Sequence, residues 1–198
     1  VHGGGYAEYC KVFYKHVLPM PKRMNFIEAA AIPENFFTVW YNLFERGQIK
    51  KSDTILIHGG SSGIGTAAIQ LCKVHGCTVI TTVGNKKKQL YCKKLGADLA
   101  IDYNKSNFLE VITKYTKNKG VDIILDMVGQ KYFEKNVLLL KDKGKLIMIA
   151  FLSGSITKAD FTAIMTKRLI LTGSTLRPRT DQEKAKIAKN LHKSYWTA

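Results

Sequence analysis

A glycine-rich segment at positions 58–68 carries the residues whose types and spacing point most directly to chemistry. Its glycines stand at positions 59, 60, 63 and 65, between a short apolar run and a segment with helical periodicity. Glycine suits a turn that needs unusual backbone angles, and it lets a ligand approach the backbone without meeting a Cβ atom. The helix that follows would offer free N–H groups and the positive end of its dipole. The segment therefore predicts a site for the phosphates of a dinucleotide.

Two kinds of dehydrogenase use a turn of this type. Set against the dinucleotide pattern G-x-G-x-x-G, the segment runs from Gly60 to Gly65 with Ser62 in place of the middle glycine. Short-chain dehydrogenases carry a similar turn near the chain start and use a Tyr-x-x-x-Lys pair far downstream for proton transfer. Here Tyr115 and Lys119 form that pair soon after the turn, at the end of a predicted helix. A solvated helix face explains them better, so the short-chain alternative is disfavoured.

The residues after the second predicted strand indicate which nicotinamide cofactor binds. In NAD-preferring folds an acidic residue at this point binds the ribose 2′-hydroxyl. This strand ends without a carboxylate and is followed by Asn85 and three lysines at 86–88. Lysine ammonium groups at a helix N-terminus attract the 2′-phosphate that distinguishes NADPH from NADH. A solvated lysine cluster is the alternative, but the missing acid favours NADP(H).

Apolar strands alternate with helices around this turn. The predicted strands are at 54–58, 77–83, 99–101, 121–126, 145–151 and 169–174, and the predicted helices are at 27–31, 36–44, 65–74, 86–95, 108–115, 132–140, 159–166 and 181–194. Such alternation requires a parallel sheet covered by helices on both faces. The predicted fold class is therefore α/β, a doubly wound parallel sheet (Rossmann fold), whose ligands bind past the carboxyl ends of the strands.

Composition narrows the function classes further. The net charge is +16, but the charges are spread along the chain, so nucleic acid is disfavoured as a partner. No apolar stretch is long enough to span a membrane, and a cytoplasmic location is the default expectation. The four cysteines show no C-x-x-C and no histidine at metal-ligand spacing, so no metal site is predicted. The first residues have neither an initiator Met nor the pattern of a signal peptide, which predicts a chain that begins inside a longer protein.

Several segments resemble, in one collinear order, the medium-chain dehydrogenase/reductase superfamily and within it the zinc-independent quinone oxidoreductase branch. Ser62 stands where alcohol dehydrogenases carry glycine. The resemblance extends from residue 1 to about residue 180, is nearest to the p53-inducible type of quinone oxidoreductase, and is lost from about Tyr195. The segments that carry it are 3–9, 29–34 with Thr38, 55–71, 94–98, 102–103, 120–122, 126–129, 167–169 and 173–177.

The resemblance implies a domain organisation truncated at both ends. Residues 1–35 would be a remnant of a GroES-like catalytic domain and its crossover, with β-prone segments at 6–13. Residues 36–178 would form the Rossmann NADP-binding domain, and 179–198 a partial C-terminal helical segment.

The resemblance also implies a set of cofactor-binding residues. Lys88 would bind the 2′-phosphate with Asn85 as its polar partner, and Tyr103 would flank the adenosine phosphate. The nicotinamide ring would be met by one residue of the crossover helix and by residues after the fourth and fifth strands, although core packing explains those side chains equally well. The full set is Thr38, Gly60, Ser62, Gly63, Ile64, Gly65, Asn85, Lys88, Tyr103, Val128 and Phe151.

The activity that the resemblance implies is NADPH-dependent reduction of a quinone without a metal. A quinone is electrophilic enough to accept hydride directly, so the protein would stack and orient the reactants, and no catalytic residue is identified. Reduction of an enone or enoyl thioester uses the same cofactor site, and a non-catalytic NADP-binding module with an RNA-binding or redox-sensing role is a third hypothesis. A homodimer through the sixth strand is also implied. The resemblance also implies that the residues lining the substrate side of the site belong to a region that precedes this chain. This chain alone is therefore expected to bind NADPH, with or without reducing a substrate.

Overall fold

Six strands pair into one parallel sheet in the computed structural model, which describes residues 4–196. The strands are β1 (Thr54–His58), β2 (Thr78–Val83), β3 (Leu99–Asp102), β4 (Val121–Asp126), β5 (Leu140–Met148) and β6 (Ile170–Gly173). Their order in the sheet is β3-β2-β1-β4-β5-β6, and every neighbouring pair is parallel. This order confirms the doubly wound sheet predicted from the alternation of strands and helices.

Helices cover both faces of the sheet, because successive strand residues point to opposite faces and apolar strand residues are buried on both. Ile55 and Ile57 of β1 belong to one apolar core, whereas Leu56 between them belongs to a second core on the other face. The helices are α1 (Phe26–Ala30), α2 (Ile32–Val39), α3 (Gly63–His75), α4 (Lys86–Lys94), α5 (Phe108–Tyr115), α6 (Phe133–Leu139), α7 (Thr162–Thr166) and α8 (Asp181–Tyr195). Helices α2, α3, α4 and α8 contribute to the first core, and α5, α6 and α7 to the second.

Three elements differ from the predicted bounds by three residues or more, for identifiable reasons. Helix α2 starts at Ile32, because Pro33 in the first turn needs no intrahelical N–H bond. It continues into a π-helical stretch, Trp40–Arg46. Strand β5 starts five residues early, since Lys143 adopts a positive φ of 59° and the strand absorbs an irregularity there. Helix α7 starts only at Thr162, whose N–H donates to the side chain of Asp160.

The N-terminal segment is irregular where β-prone sequence predicted extended strands. Within residues 4–25 the structure has one short 3₁₀ turn, Tyr14–His16, and no strand. The segment lies against α8: the His16 ring contacts the Asp181 carbonyl oxygen at 2.8 Å, and Trp196 Nε1 donates to Pro19 O. With no neighbouring strand to pair with, local β propensity produces no ladder. The GroES-like remnant stays a prediction, and residues 1–3 and 197–198 of the predicted terminal regions lie outside the described residues.

Helix α8 packs as part of the first core, although the sequence predicts a partial C-terminal segment there. A capping box at Thr180 and Glu183 starts the helix, and Ile187, Ala188 and Leu191 are buried against the same core as α3. At the other predicted boundary, α2 runs unbroken across residues 35 and 36. The domain limits at 35 and 178 stay predictions. Among the helices described, none is long and apolar enough to cross a membrane.

Candidate functional site

The carboxyl ends of the parallel strands meet at one edge of the sheet, which we call the carboxyl edge. The loops after β1 to β5 gather there, as the doubly wound topology requires. The predicted residues in these loops, or in the first turn of the helix that follows, are Gly60, Ser62, Gly63, Ile64, Gly65, Asn85, Lys88, Tyr103, Val128 and Phe151. Tyr115 and Lys119 lie at the opposite edge, because α5 runs back toward the amino ends of the strands. The topology therefore separates that pair from the glycine turn.

The glycine turn between β1 and α3 is packed so tightly that side chains are excluded from it. A Cβ atom on Gly60 would lie 2.8 Å from Thr81 Cβ and closer still to Thr81 Oγ1. A Cβ atom on Gly65 would lie 2.6 Å from Gly60 Cα, where the helix crosses the turn. Gly59 has a positive φ of 72°, which favours glycine. The turn thus uses glycine for close packing and backbone angle, as its spacing predicts.

Backbone amides at the start of α3 are left free by the way the turn is bonded. Ser62 caps the helix: its Oγ accepts from Gly65 N at 3.0 Å, and its carbonyl oxygen accepts from Thr66 N. Within residues 4–196, the amides of Ser61, Gly63 and Ile64 have no acceptor. Three unpaired N–H groups at the positive end of a thirteen-residue helix form a site for an anion.

The crossover helix α2 brings a polar side chain to this turn. A Cβ atom on Gly63 would lie 2.6 Å from Asn35 Oδ1, so the Asn35 amide lies directly beside the turn. Thr38, one helical turn further along α2, is half-buried, and its hydroxyl donates to Glu34 Oε1 at 3.2 Å. Asn35 is therefore a site residue that sequence reasoning missed, and nothing in its local sequence signals its position.

The loop after β2 presents cationic side chains to solvent. Asn85 Oδ1 accepts from Lys88 N at 2.9 Å and so caps α4, while the side chains at 86–88 are exposed. A Cβ atom on Gly84 would lie 2.7 Å from the Tyr103 hydroxyl, which places the half-exposed Tyr103 ring against this loop. The loop carries no carboxylate from Val83 to Lys88. Asn85, Lys88 and Tyr103 are thus neighbours, and the local charge is positive.

One buried carboxylate shapes the loop after β4, and backbone bonds join this loop to the loop after β5. Asp126, which is 1% exposed, accepts from Val128 N at 2.8 Å and Gly129 N at 3.1 Å. Leu152 N donates to Met127 O, and Ser153 N donates to Val128 O. Phe151 stays half-exposed at the carboxyl edge, with its ring edge against Gly129. Val128 and Phe151 therefore share one surface, and Asp126 is a second residue that the sequence did not single out.

A buried imidazole lies directly under the glycine turn. His58, the last residue of β1, is fully buried, with Nδ1 2.9 Å from Thr82 Oγ1 and Nε2 2.8 Å from Asn136 Oδ1. Burial lowers the pKa of His58 below its ordinary value, although the nearby Asp126 carboxylate and the Asn136 hydrogen bond oppose this. Burial therefore favours the neutral form of the ring. A polar residue that ends an apolar strand was the signal available in the sequence.

Comparison with known proteins agrees with this geometry. The family model for zinc-binding dehydrogenases matches residues 63–191. Quinone oxidoreductase from Homo sapiens is 30% identical over 180 residues, which are 91% of this chain and 54% of that protein. 2-Methylene-furan-3-one reductase from Solanum lycopersicum is 37% identical over 164 residues, or 82% of this chain and 39% of that protein.

Solved structures are also similar to this chain. The crystal structure of Escherichia coli quinone oxidoreductase complexed with NADPH has a TM-score of 0.77 and 29% identity, covering 86% of this chain and 53% of that chain. The present chain spans about half the length of the quinone oxidoreductases it matches. The family model begins within the glycine turn, at residue 63, and ends within α8, at residue 191.

Proposed function

Because the chain belongs to the zinc-binding dehydrogenase family, as the resemblance in its sequence predicts, we propose that its carboxyl edge binds NADP(H) for the reduction of a quinone. The observation that carries this proposal is the glycine turn, whose three free amides at the start of α3 can receive a pyrophosphate. The NADPH complex of the Escherichia coli quinone oxidoreductase supports the same cofactor for this chain.

The residues of the carboxyl edge fit the separate parts of NADP(H). Gly60, Gly63 and Gly65 let the turn pack directly against Thr81, Asn35 and its own backbone, which holds the free amides in place for a pyrophosphate. Lys88 and its neighbours at 86–88 provide exposed positive charge at the N-terminus of α4 for the 2′-phosphate, with Asn85 shaping that turn. In this proposal Tyr103 flanks the adenosine phosphate.

The nicotinamide half is assigned to the surface formed by Val128 and Phe151, with Thr38 approaching from α2. When bound, the nicotinamide supplies hydride to an electrophilic acceptor. The protein's contribution in this proposal is orientation: Asp126 fixes the loop after β4 through two backbone amides, and the half-exposed Phe151 offers a flat apolar face. No side chain is assigned as a general acid.

The described residues do not provide the donor set that zinc prefers. Zinc sites combine three or four Cys, His or carboxylate ligands, and within residues 4–196 no group of three or more such residues could hold a metal ion. Cys72 and Cys92 are buried in the first core, and burial raises the pKa of the Cys92 thiol to about 11, which disfavours a metal-binding thiolate. No step is assigned to a metal in this chain, and its metal-free mechanism stays a prediction.

Turnover tests the quinone assignment. We expect the chain to oxidise NADPH when benzoquinone is added, measured as the loss of nicotinamide absorbance above the rate without protein. Gly5→Ala serves as a control, since a Cβ atom there meets nothing within 4 Å. Saturable NADPH binding without any quinone-dependent oxidation would contradict the quinone part of the proposal for this chain and leave the cofactor part standing.

A second candidate function is the reduction of an activated carbon–carbon double bond. The relative from Solanum lycopersicum, named as a 2-methylene-furan-3-one reductase, favours it. Hydride delivery to an enone needs the same cofactor position, so the carboxyl edge serves either acceptor. Parallel assays with cyclohexenone and crotonyl-CoA discriminate the two: faster NADPH oxidation with either than with benzoquinone selects this alternative.

We also propose that the protein forms a homodimer through β6. This strand is at the edge of the sheet, next to β5 alone, and Ile170 in it is 49% exposed. An unpaired edge strand is a template for pairing with a second copy. Sedimentation at two concentrations checks this, and a mass that stays that of a monomer at both contradicts it.

A further inference from the structure

The buried cluster under the glycine turn links three elements of the carboxyl edge through one ring. His58 belongs to β1, Thr82 to β2 and Asn136 to α6, which follows β4. Both ring nitrogens of His58 are within hydrogen-bond distance of a partner, at 2.9 and 2.8 Å, and all three residues are at most 1% exposed. The ring edge also meets Phe108 and Tyr132, with centroids 5.1 and 4.8 Å away.

Thr82 connects this cluster to the backbone of the turn. Its carbonyl oxygen accepts from Gly59 N at 3.1 Å and from Gly60 N at 3.0 Å, and its side-chain Oγ1 faces the His58 ring. Thr82 therefore holds the start of the turn through its carbonyl oxygen, and His58 holds Thr82 through its hydroxyl. The free amides of Ser61, Gly63 and Ile64 come immediately after Gly59 and Gly60 in the chain, so they start from a fixed backbone position.

The hydrogen bonds assign one tautomer to the ring. Asn136 Oδ1 can only accept, so Nε2 of His58 carries the proton and donates to it. In the neutral ring Nδ1 then has no proton and accepts from the Thr82 hydroxyl. Each partner therefore constrains the ring in a different direction, which fixes its orientation as well as its position.

The cluster is not optimised for stability alone. Asn136 Nδ2 is buried and has no hydrogen-bond partner within the described residues, and an unpaired buried donor is destabilising. Apolar residues of similar size would fill this space without that cost. The presence of a polar link at this place points to control of geometry.

We propose that His58 is a positioning residue of the dinucleotide site, which holds the glycine turn in its binding geometry through Thr82 and anchors it to α6 through Asn136. The inference rests on the proposed function, since it assumes that the turn binds the pyrophosphate. His58 does not touch the ligand in this proposal and acts through the backbone of the turn.

The test compares two isosteric substitutions in the same strand. Thr82→Val removes the hydroxyl that faces His58 and keeps the carbonyl oxygen that holds the turn, whereas Thr78→Val makes the same change at the opposite end of β2. We expect the dissociation constant for NADPH to rise about tenfold for Thr82→Val, the loss of about one hydrogen bond, and to stay within about twofold for Thr78→Val. Thermal unfolding establishes that both variants are folded when they are titrated.

Two conservative substitutions of His58 separate its two links. The amide of asparagine lies at the distance of Nδ1 from the backbone and can keep the bond to Thr82, whereas that of glutamine lies at the distance of Nε2 and can keep the bond to Asn136. If the link to Thr82 positions the turn, His58→Asn retains NADPH affinity within about threefold, and His58→Gln loses about tenfold. A purely structural role predicts equal affinity for whichever variants fold.

Nitrogen NMR of the wild-type chain provides a readout that needs no ligand. We expect a protonated Nε2 and an unprotonated Nδ1 for His58 at neutral pH, and a shifted Nδ1 signal in Thr82→Val. A doubly protonated ring, or Thr82→Val affinity equal to that of the wild type, overturns the positioning role while the proposed function stands. If the folded wild-type chain binds no NADPH, the proposed function fails, and the positioning role fails with it.

Discussion

The loops after β1 and β2 lie side by side at the carboxyl edge and are built in opposite ways. The glycine turn after β1 is closely packed, with Gly60 and Gly65 buried and the amides of Gly59 and Gly60 both bonded to Thr82 O. The loop after β2 is open: the lysines at 86–88 are exposed, and Asn85 provides one capping bond.

This difference separates two kinds of recognition. In the glycine turn, ligand geometry and protein packing depend on the same atoms, so a change there affects both binding and folding. In the proposed site the lysine loop recognises the ligand by charge at a solvated surface, where substitutions are expected to alter affinity with little effect on stability. Variants at the two places are therefore expected to differ in kind as well as in size.

The largest effect is expected from Gly60→Ala. Its Cβ atom would lie 2.8 Å from Thr81 Cβ and closer to Thr81 Oγ1, inside a packed strand, so the turn must move. We expect the free energy of unfolding to fall by about 1–3 kcal/mol, as for other overpacked sites, and NADPH binding to be lost to the limit of titration. Chemical denaturation and a fluorescence titration measure the two losses.

Gly5→Ala is the matched control for this change, since open space surrounds that position. It is expected to leave both quantities at wild-type values. A Gly60→Ala chain that binds NADPH normally would show that the turn does not depend on close packing, and the contrast between the two loops would disappear.

An intermediate effect is expected from Lys88→Glu in the lysine loop. The substitution places a negative charge where the 2′-phosphate is proposed to bind, so affinity for NADPH should fall about 10- to 100-fold while affinity for NADH changes little. The melting temperature should stay unchanged, because the side chain is exposed. Titration with both nucleotides at low and physiological salt checks the charge dependence.

Lys189→Glu makes the same charge change on the exposed surface of α8 and is the control for net charge. If it weakens NADPH binding as much as Lys88→Glu does, the effect comes from the overall charge of the chain, and the lysine loop has no specific role.

The smallest effect is expected in the pH dependence of stability. The pKa of His58 is lowered by burial from 6.5, against the opposing influence of Asp126 and Asn136, while Thr82, Phe108 and Tyr132 are its other neighbours. Below pH 6.5 the unfolded chain therefore takes up a proton that the folded chain does not. The free energy of unfolding should fall as the pH drops from 7 toward the lowered pKa, about 1.4 kcal/mol for each full pH unit over which only the unfolded state is protonated.

His58→Asn should flatten this slope, measured by urea denaturation at a series of pH values, whereas the exposed His192→Asn should keep it. An unchanged slope in His58→Asn would mean that the folded chain protonates this position as readily as the unfolded one.

The sequence predicted the sheet well because buried strands appear in a sequence as short apolar runs. Apolar runs of five or six residues, separated by helical periods and glycines, were sufficient to place β1 and β4 at their observed bounds. The early start of β5 was missed because it depends on a positive φ at Lys143, a conformation that lysine rarely adopts and no pattern signals.

The sequence points to the part of the candidate site that is proposed to face the ligand, and it does not signal the residues packed behind that part. Glycine spacing and the absent acid identified the turn and the lysine loop, because those features are local in sequence. Asn35 and Thr82 contact the turn from distant positions, and Asn136 is linked to it only through His58, so folding alone brings them together. The β propensity of the N-terminal segment predicted extended strands. That propensity does not by itself produce a strand where no partner strand lies alongside.

The central claim is that this chain binds NADP(H) at the carboxyl edge, and calorimetric titration of the folded chain with NADPH and, in parallel, NADH tests it most directly. The account predicts saturable binding of one NADPH per chain, at least about tenfold tighter than NADH. A folded chain that binds neither nucleotide, or that binds NADH more tightly, would contradict it.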